Sequence, residues 1–393
     1  MKKQRGQALI LIAVGIVVML GMTALAIDGG NAFADRRHAQ NAADTAALSA
    51  ALAKINNQNW MEAAYLRAAS NTYDDDGVTN IVDVHSPPID GQYACPAKDC
   101  KNYIQVKIES RVNTWFARIV GMEQLTNRVE AVAKAKPWSP FYDGHAVVAL
   151  SPGDGKSNTP EFTFNGTASS VGVTGSGLFI NSGDNCVLSV SGSPTIGIPY
   201  ITTPGTICES MGGIPTTSGQ QYPYPPSYPH LADICSRANV VKINNTNKGF
   251  PQGTGDTIQS DKIYCISGDF EINGGTYNAT NVTFVVEGLV KINGGNVNLS
   301  SSPSLPLFYL PYAASKVGTN KSVVTISGNA DMSLKGQVLA PASDCDISGT
   351  GDTNPLKGQL ICYTIKLGGD SSTIVQYNDN DNSDEPPQIE LSE

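Results

Sequence analysis

The stretch RGQALILIAVGIVVMLGMTALAIDGG, residues 5–30, contains an uncharged apolar run from Gln7 to Ile27 that ends at Asp28. These 21 residues are enough to cross a hydrocarbon core of about 30 Å as a helix. The apolar region of a cleaved signal peptide is shorter, about 7–15 residues. A buried helix of a soluble protein is the alternative, but such helices rarely exceed about 14 uncharged residues. We therefore predict a membrane-spanning helix over residues 7–27.

Three basic residues lie on the short side of this helix, within residues 1–6. Because basic residues favour the cytoplasmic side of a membrane, we predict a cytoplasmic N-terminus and an extracellular location for everything after Asp28. Gly29 and Gly30 follow directly and predict a hinge between the membrane and the exterior. The chain is expected to be a single-pass protein of the cell membrane.

The composition favours a β-rich exported protein. Only 16% of the 393 residues are charged, while Gly, Ser, Thr and Asn are abundant. This length accommodates two or three domains. The net charge is −9, and seven of the eight arginines lie before residue 130. A nucleic-acid partner needs a concentrated basic surface, so this composition argues against one.

All eight cysteines lie on the predicted external side: Cys95, Cys100, Cys186, Cys208, Cys235, Cys265, Cys345 and Cys362. An even number in an exported region predicts disulfides rather than catalytic thiols. Zinc is the alternative, but no Cys-x-x-Cys pair occurs and the four histidines are scattered. Proximity along the chain favours the pairs 95–100, 186–208, 235–265 and 345–362, while the sequence alone leaves the connectivity open.

Residues 29–136 have the pattern of a compact α+β unit, the stem. The pattern predicts helices over 31–54, 60–72 and 113–120 and extended segments over 80–85, 103–110 and 124–136. The first helix carries a stripe of small residues at helical spacing: Ala42, Ala43, Ala46, Ala47, Ala50 and Ala51. Such a stripe allows a helix or sheet to approach closely. It predicts either a subunit contact or packing within its own domain.

Three motifs, residues 5–8 (RGQA), 27–30 (IDGG) and 36–48 (RRHAQNAADTAAL), resemble the TadE/TadG-like family of Flp (tight-adherence) pilus-assembly proteins. The likeness is dense over residues 5–53 and looser through 116–121 and 129–135. It implies an envelope protein of a tight-adherence pilus system, acting as a pseudopilin or pilus-associated subunit.

The same resemblance implies a candidate processing site between Gly6 and Gln7. Processed prepilins carry glutamate at the fifth mature position, where this chain has Leu11. This departure favours permanent anchoring through residues 7–27.

Short strand-like motifs recur in residues 137–377. Ile-Asn-Gly-Gly occurs at 272–275 and again at 292–295, and similar motifs follow at 326–328, 347–349 and 367–369. A period of roughly 20 residues without helical patterning is typical of a β-solenoid with one coil per repeat. We predict an all-β right-handed parallel β-helix, with a β-sandwich as the alternative, since sandwich strands come every ~8–12 residues.

Two insertions, 196–260 and 301–320, are expected to interrupt this solenoid. The first contains the aromatic–proline stretch YPYPPSYP at 222–229, which either binds a partner or covers the protein's own surface. The second is expected to contribute one strand. The acidic tail, residues 378–393, is predicted to be disordered.

A membrane-tethered carbohydrate-active enzyme is an alternative function, since parallel β-helices include polysaccharide lyases and hydrolases. The candidate carboxylates are Asp331, Asp344, Asp346 and Asp352. Acid–base catalysis needs two carboxylates at a fixed separation, which proximity in sequence does not provide. We therefore predict no enzyme activity and assign no catalytic, cofactor-binding or metal-binding residue.

Four parts are predicted: a cytoplasmic basic end with the transmembrane helix (1–28), the α+β stem (29–136), the parallel β-helix head (137–377) and the tail (378–393). The predicted function is a structural role in pilus assembly or adhesion at a bacterial surface. Expected partners are the membrane, other pilus or pseudopilin subunits and the secretion machinery, with surface polysaccharide as a candidate ligand. A surface-layer or matrix protein unconnected with pili is a further alternative.

Overall fold

The computed structural model describes residues 5–91, 100–155, 160–244, 249–251, 256–302, 304–317, 322–328, 332–349, 355–369 and 372–392. Predictions that fall on Cys95, Asp331 and Asp352 lie outside these ranges. The chain divides into two compact units. The first is Met1–Trp138 together with Pro386–Glu393, and the second is Ser139–Glu385.

The first unit contains helices α1 (Arg5–Ile55) and α2 (Trp60–Ser70) and strands β1 (Asn80–His85), β2 (Tyr103–Asn113), β3 (Gln124–Lys136) and β26 (Gln388–Ser392). The second unit contains β4 (Ser139–Pro140), β5 (Val147–Ala149), β6 (Phe162–Thr174), β7 (Leu178–Ile180), β8 (Leu188–Gly197), β9 (Ile201–Thr203), β10 (Thr216–Ser218), β11 (Val240–Ile243), β12 (Ile263–Ile266), β13 (Phe270–Ile272), β14 (Thr276–Ala279), β15 (Thr283–Val286), β16 (Val290–Asn293), β17 (Asn296–Ser300), β18 (Phe308–Tyr309), β19 (Ser322–Ser327), β20 (Met332–Lys335), β21 (Val338–Ser348), β22 (Leu356–Lys357), β23 (Leu360–Gly369), β24 (Thr373–Gln376) and β25 (Asp384–Glu385).

Helix α1 is continuous over 51 residues and joins the apolar run to the alanine-rich segment. It passes through Gly29 and Gly30 without a break, so the predicted hinge is wrong. A glycine inside a helix costs only about 1 kcal/mol relative to alanine, which the surrounding helix can tolerate. The Asp28 carboxylate also accepts hydrogen bonds from the backbone of residues 115–117, which hold this part of α1 in place.

The sheet of the first unit is antiparallel, with the order β1-β2-β3-β26. Strands β1 and β3 have the bounds that the alternation of apolar residues predicts, and β2 continues to Asn113. The predicted helix over 113–120 is wrong, because a short 3-10 turn, Ala117–Val120, stands there instead. Gly121, with φ of 88°, ends this turn in the left-handed region that favours glycine.

The acidic C-terminal segment is ordered over residues 372–392, so the prediction of a disordered tail from residue 378 is wrong there. Strand β25 pairs with β4, and β26 pairs with β3 in the register Ile389 to Ala135. Ile389 also packs against the apolar core of the first unit. The short apolar-polar alternation in QIELS supplies this strand, although the acidic residues around it dominate the composition.

Strands β5–β24 of the second unit pair in parallel, in three rows. The first row is β11-β12-β15-β18-β21-β23-β5-β7-β9-β10. The second is β13-β16-β19-β21-β23-β6-β8, and the third is β14-β17-β20-β22-β24-β6-β8. Long strands such as β21 contribute to two rows, with a register shift in between. The prediction of a largely β region with parallel strands is therefore confirmed.

The 20-residue spacing of the sequence reappears as contacts between neighbouring strands. Asn293 donates to Asn273 at 3.1 Å, and Asn298 donates to Asn278 at 2.9 Å. On the inner side, the rings of Phe270, Phe284 and Phe308 are fully buried, with centroids 4.7–5.3 Å apart. Each repeat thus places amides outside and aromatic or aliphatic side chains inside.

The order of strands in the rows differs from their order in the chain. Strand β5 lies between β23 and β7, so the first strands of the second unit continue the row beyond its last strands. Residues 219–239 then connect β10, at one end of the first row, to β11 at the other. The first and last strands of the three rows along the chain, β5 and β24, therefore lie in the interior of their rows and not at the ends.

Candidate membrane anchor and its attachment

The first part of α1 exposes a continuous apolar surface. Leu11, Val17 and Leu25 are 73%, 68% and 74% exposed, and the neighbouring apolar side chains are similarly uncovered. An exposed apolar surface of this extent marks a membrane or protein contact. Within the described residues, the helix beginning at Leu11 is long and apolar enough to cross a membrane. It is consistent with a single-pass membrane anchor or with a signal sequence.

Asp28 stands directly after this apolar segment and binds α1 to the loop after β2. Its Oδ1 accepts the backbone N–H of Trp115 at 2.8 Å. Its Oδ2 accepts those of Phe116 at 3.0 Å and Ala117 at 2.7 Å. These are the free N–H groups at the start of the 3-10 turn, which a carboxylate stabilises as it would at a helix N-terminus.

Asp35 binds α1 to the sheet two helical turns further along. Its carboxylate accepts from the Tyr73 hydroxyl at 3.0 Å, from Nδ2 of Asn127 at 2.7 Å and from the Ser110 hydroxyl. Nδ1 of His38, one turn later, lies 3.2 Å from the Tyr73 hydroxyl. Sequence reasoning missed this attachment. The seven-residue spacing from Asp28 to Asp35 places both carboxylates on one face of the helix and is the signal that could have indicated it.

The alanine stripe is buried inside its own unit. Its six members are fully buried: Ala42, Ala43, Ala46, Ala47, Ala50 and Ala51. They pack with Ala64 and Ala68 of α2 and with the inner face of the sheet, including Ile104 and Ala133. The sequence left open a subunit contact or packing within the domain, and the structure shows packing within the domain. The stripe offers no free surface to another subunit.

The candidate processing site lies at the start of α1. Gly6 and Gln7 belong to its first turns, and Leu11 is exposed four residues later. An apolar residue at this exposed position has the same environment as the rest of the apolar segment. Gly6 and Gln7 thus stay a candidate processing site, and permanent anchoring through residues 7–27 stays a prediction.

The aromatic–proline stretch covers the second unit's own sheet. Tyr222 donates to Asp143 at 2.7 Å, and its ring meets Phe179 edge to face at 5.1 Å. Tyr224 donates to the carbonyl of Pro341 at 3.2 Å. The hydroxyls of Tyr228 and Tyr142 lie 2.7 Å apart. We name residues 219–239 the strap, because they cross the outer face of the first row and cover its apolar side chains: Val285, Tyr309, Leu339 and Ile361.

Three disulfides stabilise the second unit: Cys186–Cys208, Cys235–Cys265 and Cys345–Cys362. These are the pairs that proximity along the chain favours. Cys235–Cys265 joins the end of the strap to β12, and Cys345–Cys362 joins the neighbouring strands β21 and β23. Cys100 begins a short 3-10 turn, whereas its expected partner, Cys95, lies outside the described residues.

Two of the aspartates considered for catalysis, Asp344 and Asp346, lie within the described residues, and each pairs with a different side chain. Asp344 accepts from the Thr364 hydroxyl at 2.6 Å, and burial raises the pKa of Asp344. Asp346 forms an ion pair with Lys366 at 3.4 Å. Within the ranges that the structure describes, no group of three or more acidic, histidine or cysteine side chains could hold a metal ion. These contacts stabilise a ladder between β21 and β23.

Glu161 is the most unusual carboxyl of the second unit. Its side chain is buried, and Oε2 has no hydrogen-bond partner among the described residues. Burial raises the pKa of Glu161 to about 7, and the charges of Asp184 and Asp154 act in the same direction. Below about pH 7 the carboxyl of the folded protein therefore favours its protonated form.

Comparison with known proteins links the N-terminal segment to a family. Residues 6–53 match the family model Tad, described as Flp pilus-assembly TadE/G-like. Comparisons with curated proteins and with solved structures gave no significant match. The matched segment contains the apolar run, Asp28, Asp35 and the alanine stripe. The chain therefore carries a TadE/G-like Flp pilus-assembly domain at residues 6–53, which suggests a role related to tight-adherence pili.

Proposed function

We propose that this chain is a membrane-anchored structural protein of a tight-adherence pilus system. The observation that carries the proposal is α1, whose apolar residues 11–27 are exposed while its alanine-rich part is buried in the first unit. One uninterrupted helix thus begins with an exposed apolar segment, which lipid would cover. It ends with an alanine-rich segment, which its own domain covers. The domain match over the same helix connects this anchor to pilus assembly.

The anchor holds the N-terminus in the cytoplasm and both units on the outer side of the membrane. The basic residues before the apolar run support this orientation. The three disulfides support it independently, because disulfides persist in oxidising compartments outside the cytoplasm.

The second unit acts as a rigid head, built as a right-handed parallel β-helix. Its three rows of parallel strands and the contacts at 20-residue spacing support one coil per repeat. The head acts in assembly or adhesion without catalysis. Its partners are other pilus or pseudopilin subunits and the secretion machinery, and surface polysaccharide is a candidate ligand.

The test is the N-terminal peptide of the native protein, determined by mass spectrometry in membrane and sheared-fibre fractions. Peptides that retain Lys2 and Lys3 and occur in membranes indicate a permanently anchored protein. Peptides that begin at Gln7 and occur in fibres indicate a processed, pilin-like subunit.

A Gly6→Ala variant is the matched control, because it alters the candidate processing site and leaves the apolar run unchanged. Processing at Gly6 would make this variant accumulate in membranes. A protein found in neither fraction, with an N-terminus beyond Asp28, would refute the proposal.

A further inference from the structure

The loop between β2 and β3 exposes large apolar side chains on the described surface of the first unit. Trp115 is 72% exposed and Ile119 is 80% exposed, while Phe116 and Met122 are about half exposed. Arg118 is exposed on the same turn. We name residues 115–122 the apolar loop. A water-soluble domain rarely presents so many large apolar groups on one short turn.

The position of this loop relative to α1 is set by Asp28. The three backbone N–H groups of residues 115–117 donate to its carboxylate at 2.7–3.0 Å. Asp28 follows the apolar run directly, at a helical rise of about 1.5 Å per residue. The apolar loop is therefore bound to α1 at Asp28, one residue after the exposed Ile27 and three after the exposed Leu25.

We propose that the apolar loop inserts into the interface of the same bilayer that α1 crosses, as a second membrane contact. Tryptophan favours the headgroup level, because its ring is apolar and its indole N–H can bind polar groups there. Ile119 and Met122 would enter the upper acyl region, and Arg118 would meet lipid phosphates. This inference rests on the membrane anchoring proposed above.

The continuity of the loop with the apolar helix favours lipid over a protein partner. The loop is held to the end of the apolar run by direct hydrogen bonds, so both surfaces enter the same environment. The opposite end of β3 provides a contrast. β3 is 13 residues long, so Lys136 lies roughly 40 Å from Gln124 along the strand. Trp138, two residues after Lys136, is 60% exposed and should stay in water.

The test compares two single-tryptophan variants of the full chain in phosphatidylcholine–phosphatidylglycerol vesicles. One variant, Trp60→Phe with Trp138→Phe, retains Trp115. The matched control, Trp60→Phe with Trp115→Phe, retains Trp138. We expect lipids brominated near the headgroup to quench Trp115 and shift its emission to the blue, while Trp138 is quenched only by aqueous acrylamide.

Two further variants separate the loop from the anchor. Ile119→Asp replaces an exposed side chain, so it should leave the fold intact and weaken the lipid quenching of Trp115. Asp28→Ala should release the loop and weaken the same quenching.

Flotation of the vesicles measures anchoring separately. A chain that floats while Trp115 and Trp138 respond alike overturns the membrane contact of the loop and leaves the anchor intact. Protection of Trp115 from both lipid bromine and acrylamide also overturns it and indicates a protein contact. A chain that does not float overturns both proposals.

Discussion

At the scale of single residues, the first unit depends on a few polar contacts between α1 and the sheet. Asp35 is the centre of one such group, because three side chains, from β2, from β3 and from the loop after α2, donate to its carboxylate. Tyr73 is buried, and burial together with the hydrogen bond to Asp35 raises the pKa of Tyr73. The phenol therefore stays protonated and serves as a hydrogen-bond donor.

The first prediction concerns this donor. Tyr73→Phe removes the hydroxyl that donates to Asp35 and leaves the ring in place. We expect the free energy of unfolding of the first unit to fall by about 1.5–3 kcal/mol, the range for losing a hydrogen bond to a charged group. Denaturant titration of the full chain in detergent measures it. Tyr65→Phe, at a partly buried position beside the same core, is the control and should change the value by less than about 0.5 kcal/mol.

The second prediction concerns Glu161 and pH. Its pKa is about 7 in the folded protein, against an ordinary value of 4.5. Between these values the folded chain holds a proton that the unfolded chain has lost, so the free energy of unfolding falls as the pH rises. Calorimetry of the full chain in detergent should show the second unit becoming less stable from about pH 4.5 to about pH 7.

Glu161→Gln should flatten this dependence, because the amide does not titrate. Glu209→Gln, at an exposed position, should keep it. An unchanged slope in Glu161→Gln would contradict the assignment of the effect to Glu161.

At the scale of elements, the strap covers the outer apolar side chains of the first row of the second unit and so shields them from solvent. Its tyrosines bind both the side chains and the backbone of that row, and Cys235–Cys265 fixes its end to β12. The disulfide closes a loop of 30 residues. Such a loop removes conformational entropy from the unfolded chain and so stabilises the folded one.

The third prediction is that the double variant Cys235→Ser, Cys265→Ser lowers the free energy of unfolding of the second unit by about 3–4 kcal/mol. Hydrogen exchange should increase in the strap and over β15, β18, β21 and β23, whose outer side chains it covers. Cys186→Ser with Cys208→Ser is the comparison, since this bridge lies outside the strap. Equal exchange of the strap in both variants would contradict its attachment through Cys235.

The sequence predicted individual elements well where alternation or composition was strong. The bounds of β1 and β3 follow from alternating apolar residues, and the disulfide pairs follow from short separations. The hinge at Gly29 and Gly30 and the helix over 113–120 were wrong for one reason. Both regions meet at Asp28, which accepts hydrogen bonds from residues 115–117 and so joins two distant segments, and local patterns do not contain such contacts.

At the scale of the whole molecule, we expect both units to fold without the apolar segment that precedes Asp28. The fourth prediction is that a chain lacking residues 1–27 is soluble and folded, because the core of the first unit begins at Ala39. Circular dichroism and calorimetry should show the cooperative unfolding of both units without detergent. Aggregation of this variant, but not of the full chain in detergent, would mean that residues 1–27 belong to the fold.

The order of strands in the second unit could not be predicted from its repeats. A 20-residue period indicates that consecutive copies are neighbours, as for β12 and β15. It does not indicate that β5 pairs with β23, because side-chain alternation specifies which residues face inward but not which strand is adjacent. The attachment of α1 through Asp35 was missed for a similar reason, since its partners come from three separate segments.

Strand β26 has a consequence for biosynthesis. The first unit completes its sheet with residues 388–392, which follow the entire second unit in the chain. During translation, β3 therefore keeps an unpaired edge until the second unit and residues 388–392 have been synthesised. Unpaired edges favour aggregation, so a chain that ends before residue 388 should aggregate more readily and be degraded faster than the full chain. The sheet of the first unit is thus completed only after the second unit has been synthesised.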